Sequence, residues 1–310
     1  MLEVGRHERT DQASGLRKLF PTRGLRVLPV TSAMQKRRPL QDLAAAFAAT
    51  GQRVLILDHG WSSAGSQRSS ADLAAVLHGA LSFDAAVAHL GDQVRRLSVG
   101  TGFAVMNDMG ISGEELFTAL RKLEAAADLV IVPTGDPAVV GQLVGGHGEF
   151  LVLAEATPPG IANAYQLLKS ITTAGLHVRL AFDGVEHQTA ADDAFRRIET
   201  TANRFLGVFP LSAGWLPRES SAATSRATRA HASSRQALQR MALAARQWDL
   251  AEYPRARDLG HVGIAGAGDL RGLLVERSGA RPAERRSHAG VDGQAEPVRT
   301  VRRSRTRREW

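Results

Sequence analysis

Val30–Asp58 reads VTSAMQKRRPLQDLAAAFAATGQRVLILD, and this stretch decides the fold. An apolar run enters it, a helical pattern fills its middle, and a second apolar run ends on a carboxylate. Leu40, Leu43, Ala44, Phe47 and Ala48 follow the i, i+3, i+4, i+7, i+8 spacing of a stripe that faces a core. Pro39 suits the first helical position, where its missing N–H would have no partner in any case. Gly51 is a natural stop. The stretch predicts strand, helix and strand, the unit from which parallel sheets are built.

Working outward, short β-branched or leucine-rich runs alternate with longer helical patterns from residue 25 to about residue 215. The strand candidates are Arg26–Val30, Arg53–Leu57, Val94–Val99, Leu129–Val132, Phe150–Leu153, His177–Phe182 and Gly207–Phe209. Leu129–Val132 is apolar at every position, as a central parallel strand should be. The fold class predicted is α/β: a doubly wound, mostly parallel sheet with helices on both faces. Residues 1–24 form a leader, 25–250 the domain and 251–310 a basic tail expected to be disordered. Residues 220–232, rich in Ser, Ala, Thr and Arg, read as a surface connection. Ser234 is placed to cap a last helix carrying Leu238, Met241, Ala245 and Trp248 on one side.

Inside the opening stretch, the turn Ala33-Met34-Gln35-Lys36-Arg37-Arg38 joins the strand to the helix. A phosphate-binding loop at this place needs glycines, so that consecutive backbone N–H groups can line a concavity at a helix N-terminus. It also needs a lysine for the phosphates and a following Ser or Thr for magnesium. No glycine precedes Lys36 here, and Arg37 follows it. Forcing a side chain into the left-handed conformation would cost about 1–2 kcal/mol per residue. The turn therefore reads as an ordinary strand-to-helix connection with a basic face, or as a weak anion site. Leu129–Val132 runs into Pro133-Thr134-Gly135, with proline where such a site would carry an aspartate.

The chain has 310 residues, 44% apolar and 23% charged, and a net charge of +8, the make-up of a globular protein. It has no cysteine, which excludes disulfides, thiolate metal sites and a cysteine nucleophile, and fits a reducing cytosol. The first residues, MLEVGRHERTDQ, are polar and do not read as a secretory signal. No apolar run approaches the ~20 residues that span a bilayer. Residues 251–310 hold thirteen Arg and eight Asp or Glu, a surplus of five positive charges that would draw anionic lipid or nucleic acid without specificity.

The stretch VTSAMQKRR…DLAAAFAATGQRVLILD resembles the opening of MinD/ParA-type P-loop proteins, with three residues fewer in the loop if Lys36 takes the lysine position. ATPPGIANAYQLLKSI (Ala156–Ile171) and ANRFLGVFPLSAGWLPRE (Ala202–Glu219) are similar to later segments of that family. DQASGLRKL, Asp11 to Leu19, matches the DQAxxLR motif that precedes the ATPase domain in the FlhG/FleN subgroup, the regulators of flagellar number. The resemblance implies a MinD-like P-loop fold. It implies an activator helix, with Asp11, Gln12, Ala13, Leu16 and Arg17 at the motif positions, that docks on the signal-recognition-type GTPase FlhF and supplies a glutamine to its site. It also implies a degenerate nucleotide site at Lys36, Arg37, Asp58, Thr134, Gly135 and Asp183, the last standing where the family has a base-contacting asparagine.

Because the loop glycines, the magnesium-binding hydroxyl and the later aspartate are missing, the chain reads as a pseudo-ATPase. No catalytic residue, metal or cofactor of its own is expected, with ATP and Mg²⁺ entering only if the family activity survives. The alternatives are an active MinD/ParA-type ATPase with an atypical loop, and an adaptor for anionic lipid or nucleic acid led by the arginine tail. The expected place is the cytoplasm, with peripheral contact on the inner face of the cell membrane open. Homodimerisation and contact with a flagellar transcriptional regulator are open too, and specific nucleic-acid binding is not expected.

Overall fold

Leu129 to Val132 are all buried, and their side chains part to the two faces of one sheet. Val130 and Val132 enter one core cluster, Leu129 and Ile131 the other, the alternation that a pleated strand imposes. The computed structural model describes residues 24–34, 40–59, 71–123, 127–136, 141, 143–145, 148–173, 175–217, 225–253, 270–272 and 274.

The strands are β1 (Leu25–Ser32), β2 (Val54–Asp58), β3 (Ala88–Gly91), β4 (Val94–Ser98), β5 (Leu129–Pro133), β6 (Glu149–Glu155), β7 (His177–Val185), β8 (Leu211–Pro217) and β9 (Ala251–Tyr253). The described helices are α1 (Leu40–Ala48), α2 (Leu73–Leu77), α3 (Phe83–Ala86), α4 (Gly102–Met109), α5 (Gly113–Lys122), α6 (Pro158–Thr173), α7 (Gln188–Leu206) and α8 (Ser225–Ala244). The sheet runs β3-β4-β2-β5-β1-β6-β7-β8. Strands β4 to β8 along this path, with β1 and β2, are parallel; β3 pairs antiparallel with β4 and β9 antiparallel with β1.

One face of the sheet packs on α2 to α7, the other on α1 and α8. This is the doubly wound α/β fold that the alternation of patterns predicts. In α1, Leu40, Leu43, Ala44 and Phe47 are buried as their spacing requires. Gly51 closes that turn at φ 85°, with its N–H on the Ala48 carbonyl at 2.8 Å.

Three expectations give way. The last strand of the sheet is Leu211–Pro217, beyond the expected Gly207–Phe209. Gly207 instead ends α7 at φ 66° and donates to the Asn203 carbonyl at 3.1 Å. The expected connection at 220–232 is helical from Ser225 onward. Ser234 therefore caps nothing. It lies within α8, buried, with its hydroxyl donating to the Pro217 carbonyl at 3.3 Å. Of the tail, expected to be disordered from residue 251, Ala251–Tyr253 pair with the sheet as β9.

That return completes the centre of the sheet. β6 pairs with β1 only over Val30–Ser32, and β9 takes the remaining edge, placing Leu25 opposite Tyr253 and Val27 opposite Ala251. The Gly24 N–H donates to Glu252 Oε1 at 2.7 Å, and a Cβ at Gly24 would lie 2.4 Å from the Tyr253 carbonyl oxygen. Tyr253 meets the Phe117 ring at 5.0 Å; burial, then the Glu114 charge, pushes its phenol up to about 12. Leu270 and Leu274 are buried in the first core cluster, and the Arg271 guanidinium donates to the His78 carbonyl at 3.2 Å.

Arg26, 5% exposed within β1, donates to the carbonyls of Ala245 and Trp248, just past α8. A cation suits that end of a helix, where the last carbonyls lack partners.

Candidate functional site

From β1 the chain passes to β2 on one side, leaving a gap that β5 later fills. From β5 it crosses to β6 on the other side of β1. This reversal opens a crevice outside the carboxyl ends of β1 and β5, where open α/β sheets hold their ligands. The residues at this crest are therefore the candidate site.

Ala33 and Met34 begin the crest turn. Both are buried, Ala33 in the first core cluster and Met34 in the second. The Ala33 N–H donates to the Leu153 carbonyl at 2.8 Å, extending the β1–β6 ladder. The Met34 N–H is taken by the Ser32 hydroxyl at 3.2 Å. These two N–H groups are thus engaged by the protein itself and do not line a cradle. Among the described residues every positive φ belongs to a glycine.

β2 ends on Asp58, in register with Ser98 of β4, and His59 follows. β2 and β5 pair through Ile56 and Ile131. The Thr134 N–H goes to the Val30 carbonyl of β1 at 2.9 Å, so Pro133, one residue earlier, stands with its nitrogen toward β2 and has no N–H to offer there. The two strands meet once more at an isolated bridge between His59 and Thr134. There His59 Nδ1 lies 3.4 Å from Thr134 Oγ1, and its ring stands 4.9 Å from Phe103 of α4. Burial holds the imidazole below its usual pKa, against the opposing pull of Asp136 and Asp58.

Thr134 is fully buried. Its hydroxyl donates to the Asp136 carbonyl at 2.9 Å and accepts the Asp136 N–H at 2.9 Å. With that proton committed, the His59 contact is an Nδ1–H donated to the remaining lone pair of Oγ1. A hydroxyl, an imidazole and carboxylates in one place suggest nucleophilic catalysis. The buried, committed Thr134 hydroxyl does not serve that chemistry.

The structure thus brings together Asp58, Thr134 and Gly135, and adds His59 and Asp136. Asp183 stands apart at the end of β7, four strands along from β2, about 19 Å at the usual strand spacing. Its carboxylate accepts the Gly184 N–H at 2.7 Å, and its register partner on β6 is Glu155. Asp11, Gln12, Ala13, Leu16, Arg17, Lys36 and Arg37 lie outside the described residues. His59 and Asp136 escaped the sequence reading. The available signal was position: each lies within three residues of the end of a fully apolar strand.

Among the described residues, the crest has no glycine cradle of the kind that holds a triphosphate. Ala33 and Met34 fill core space where glycines would open a cradle, and Pro133 ends β5. Among the described residues no helix is long and apolar enough to cross a membrane.

No protein-family model matches the chain, and no curated protein matches it. Among solved structures it is similar to the MinC:MinD cell division protein complex of Aquifex aeolicus, at 15% identity and a TM-score of 0.48, covering 78% of this chain and 99% of that one. It is similar to the septum site-determining protein MinD of Pyrococcus horikoshii complexed with Mg-ADP, at 15% identity and a TM-score of 0.46 over 72% and 96%. It is also similar to cobyrinic acid a,c-diamide synthase of Mycobacterium smegmatis with bound ADP and magnesium, at 20% identity and a TM-score of 0.46 over 73% and 98%. At such identity these likenesses assign no residue a role.

Proposed function

We propose that the chain is a FlhG-like regulator of flagellar number or placement. Its leader binds a signal-recognition-type GTPase of the FlhF kind and stimulates it, while the α/β body acts as a pseudo-ATPase scaffold. The observation that carries this reading is the leader sequence DQASGLRKL, Asp11 to Leu19. Ala13, Leu16 and Phe20 share one helical face. Asp11 near the start and Arg17 near the end suit the helix dipole. A helix this short would be marginal in water and would gain its order in a partner's groove. Gln12 would orient the attacking water, as glutamines do in other GTPases. The filled crest turn at Ala33 and Met34 and Pro133 at the end of β5 support the pseudo-ATPase half.

The test adds the purified chain, or a peptide of residues 1–24, to the GTPase with GTP. Hydrolysis should rise, and Gln12→Ala should remove the rise. An unchanged rate with wild type removes the reading.

The competing reading, an active MinD/ParA-type ATPase with an atypical loop, is favoured by Asp58 and Thr134 standing together at the crest. It requires phosphate release from Mg-ATP that Lys36→Ala abolishes.

A further inference from the structure

We propose that His59 is a proton-sensitive clasp between the ends of β2 and β5, closed while its ring is neutral. This inference is independent of the leader and of any nucleotide. It begins from an interruption in the sheet. The β2–β5 ladder stops at Ile56 and Ile131, because Pro133, whose nitrogen is on the β2 side by alternation with the Thr134 N–H that goes to Val30, has no N–H to give. Beyond that point, among the described residues, the ends of the two strands meet only at the His59–Thr134 bridge and its side-chain contact.

The chemistry of the contact makes it sensitive to protons. Thr134 Oγ1 spends its hydrogen on the Asp136 carbonyl and one lone pair on the Asp136 N–H. His59 Nδ1–H fills the last place. The neutral ring then keeps its Nε2 lone pair and its seat against Phe103. Adding a proton places a full charge on a half-buried ring. Among the described residues, the charged groups acting on it are Asp136 from the turn after β5 and Asp58 from its own strand, and burial outweighs both. From α4 its ring meets Phe103, which carries no charge. A charged His59 recovers hydration by leaving that seat, and Thr134 loses the donor that ties it to β2. An imidazole changes charge in the range between pH 5 and 8, so the clasp responds to modest acidification.

The test uses the full chain. The His59 ring is titrated by NMR, and hydrogen exchange is followed at the Thr134 and Asp136 amides from pH 7.5 to pH 5, after correction for intrinsic exchange. The His59 midpoint should lie below the ordinary value of 6.5. Protection at Asp136 should fall several-fold across that midpoint, while an amide in the β6–β7 ladder such as Leu180 stays protected. His59→Gln, an uncharged donor of similar reach, should hold protection at every pH. His59→Phe, which keeps a ring beside Phe103 but has no donor, should lose it at every pH. Thr134→Ser keeps the hydroxyl and should behave as wild type, a check that remains readable if a larger change at this buried site fails to fold. A midpoint at or above 6.5, or equal Asp136 protection in wild type and His59→Phe at pH 7.5, overturns the proposal.

Discussion

Cutting Leu270 back to alanine tests whether the returning tail is part of the folding core. Leu270 is 1% exposed and packs in the cluster that joins the sheet to α2 through α7. Leucine to alanine in such a site removes transfer energy and leaves a cavity, together about 2–5 kcal/mol. Its neighbour Arg271 holds the His78 carbonyl at the end of α2, so little local collapse is available to refill the space. A loss of about 3 kcal/mol should lower Tm by about 6–12 °C in a domain of this size. Urea unfolding followed by circular dichroism gives the free energy, and calorimetry gives Tm. Leu243→Ala is the control, since Leu243 is 53% exposed on α8 and should change stability by under about 0.5 kcal/mol. If Leu270→Ala matches this control, Leu270 does not belong to the core.

Other outcomes follow from the same structure. Arg26→Met leaves the Ala245 and Trp248 carbonyls without their buried donor, and should cost about 1–3 kcal/mol in the same unfolding assay. Glu149→Ala removes the carboxylate that Arg179 grips with two nitrogens. It strands a mostly buried cation, for a loss on the order of 3 kcal/mol. Gly113→Ala places a Cβ 1.8 Å from the Leu143 carbonyl oxygen, so backbone must move; Tm should drop measurably although alanine is the better helix former. The folded pKa of His59 lies below its unfolded value, so the unfolded chain binds more protons. Stability from this group is present above about pH 6.5 and is lost as pH falls through the window below it. His59→Gln should remove that part of the pH slope in urea unfolding.

The parallel sheet was legible because its central strands are buried on both faces and so appear as unbroken apolar runs. Two of the missed strands lack that mark. In β3, all four residues of Ala-His-Leu-Gly are exposed, and only pairing with β4 defines it. β8 carries Ser, Gly and Pro, residues that read as turn chemistry. The nearby apolar triplet Gly207-Val208-Phe209 drew the reading away, although its glycine is a helix terminator. β9 is three residues long and sits in a segment dominated by arginine and glycine. Its place is set by the edge of β1 that β6 leaves open, which local sequence does not display. At the crest, Asp58, Thr134 and Gly135, implied by the family resemblance, came together. Asp183 did not join them, because the number of strands between two strand ends is a property of topology. His59 and Asp136 gained their meaning only from the bridge across the gap that Pro133 creates.

On the proposed reading, a leader acts on a partner GTPase and the body does not use its own triphosphate. The most direct measurement is GTP hydrolysis by the FlhF-type GTPase with the full-length chain, taken with and without added Mg-ATP. The account predicts the same stimulation in both conditions, and none from Gln12→Ala in either. Stimulation that appears only with ATP, or that survives Gln12→Ala, contradicts it.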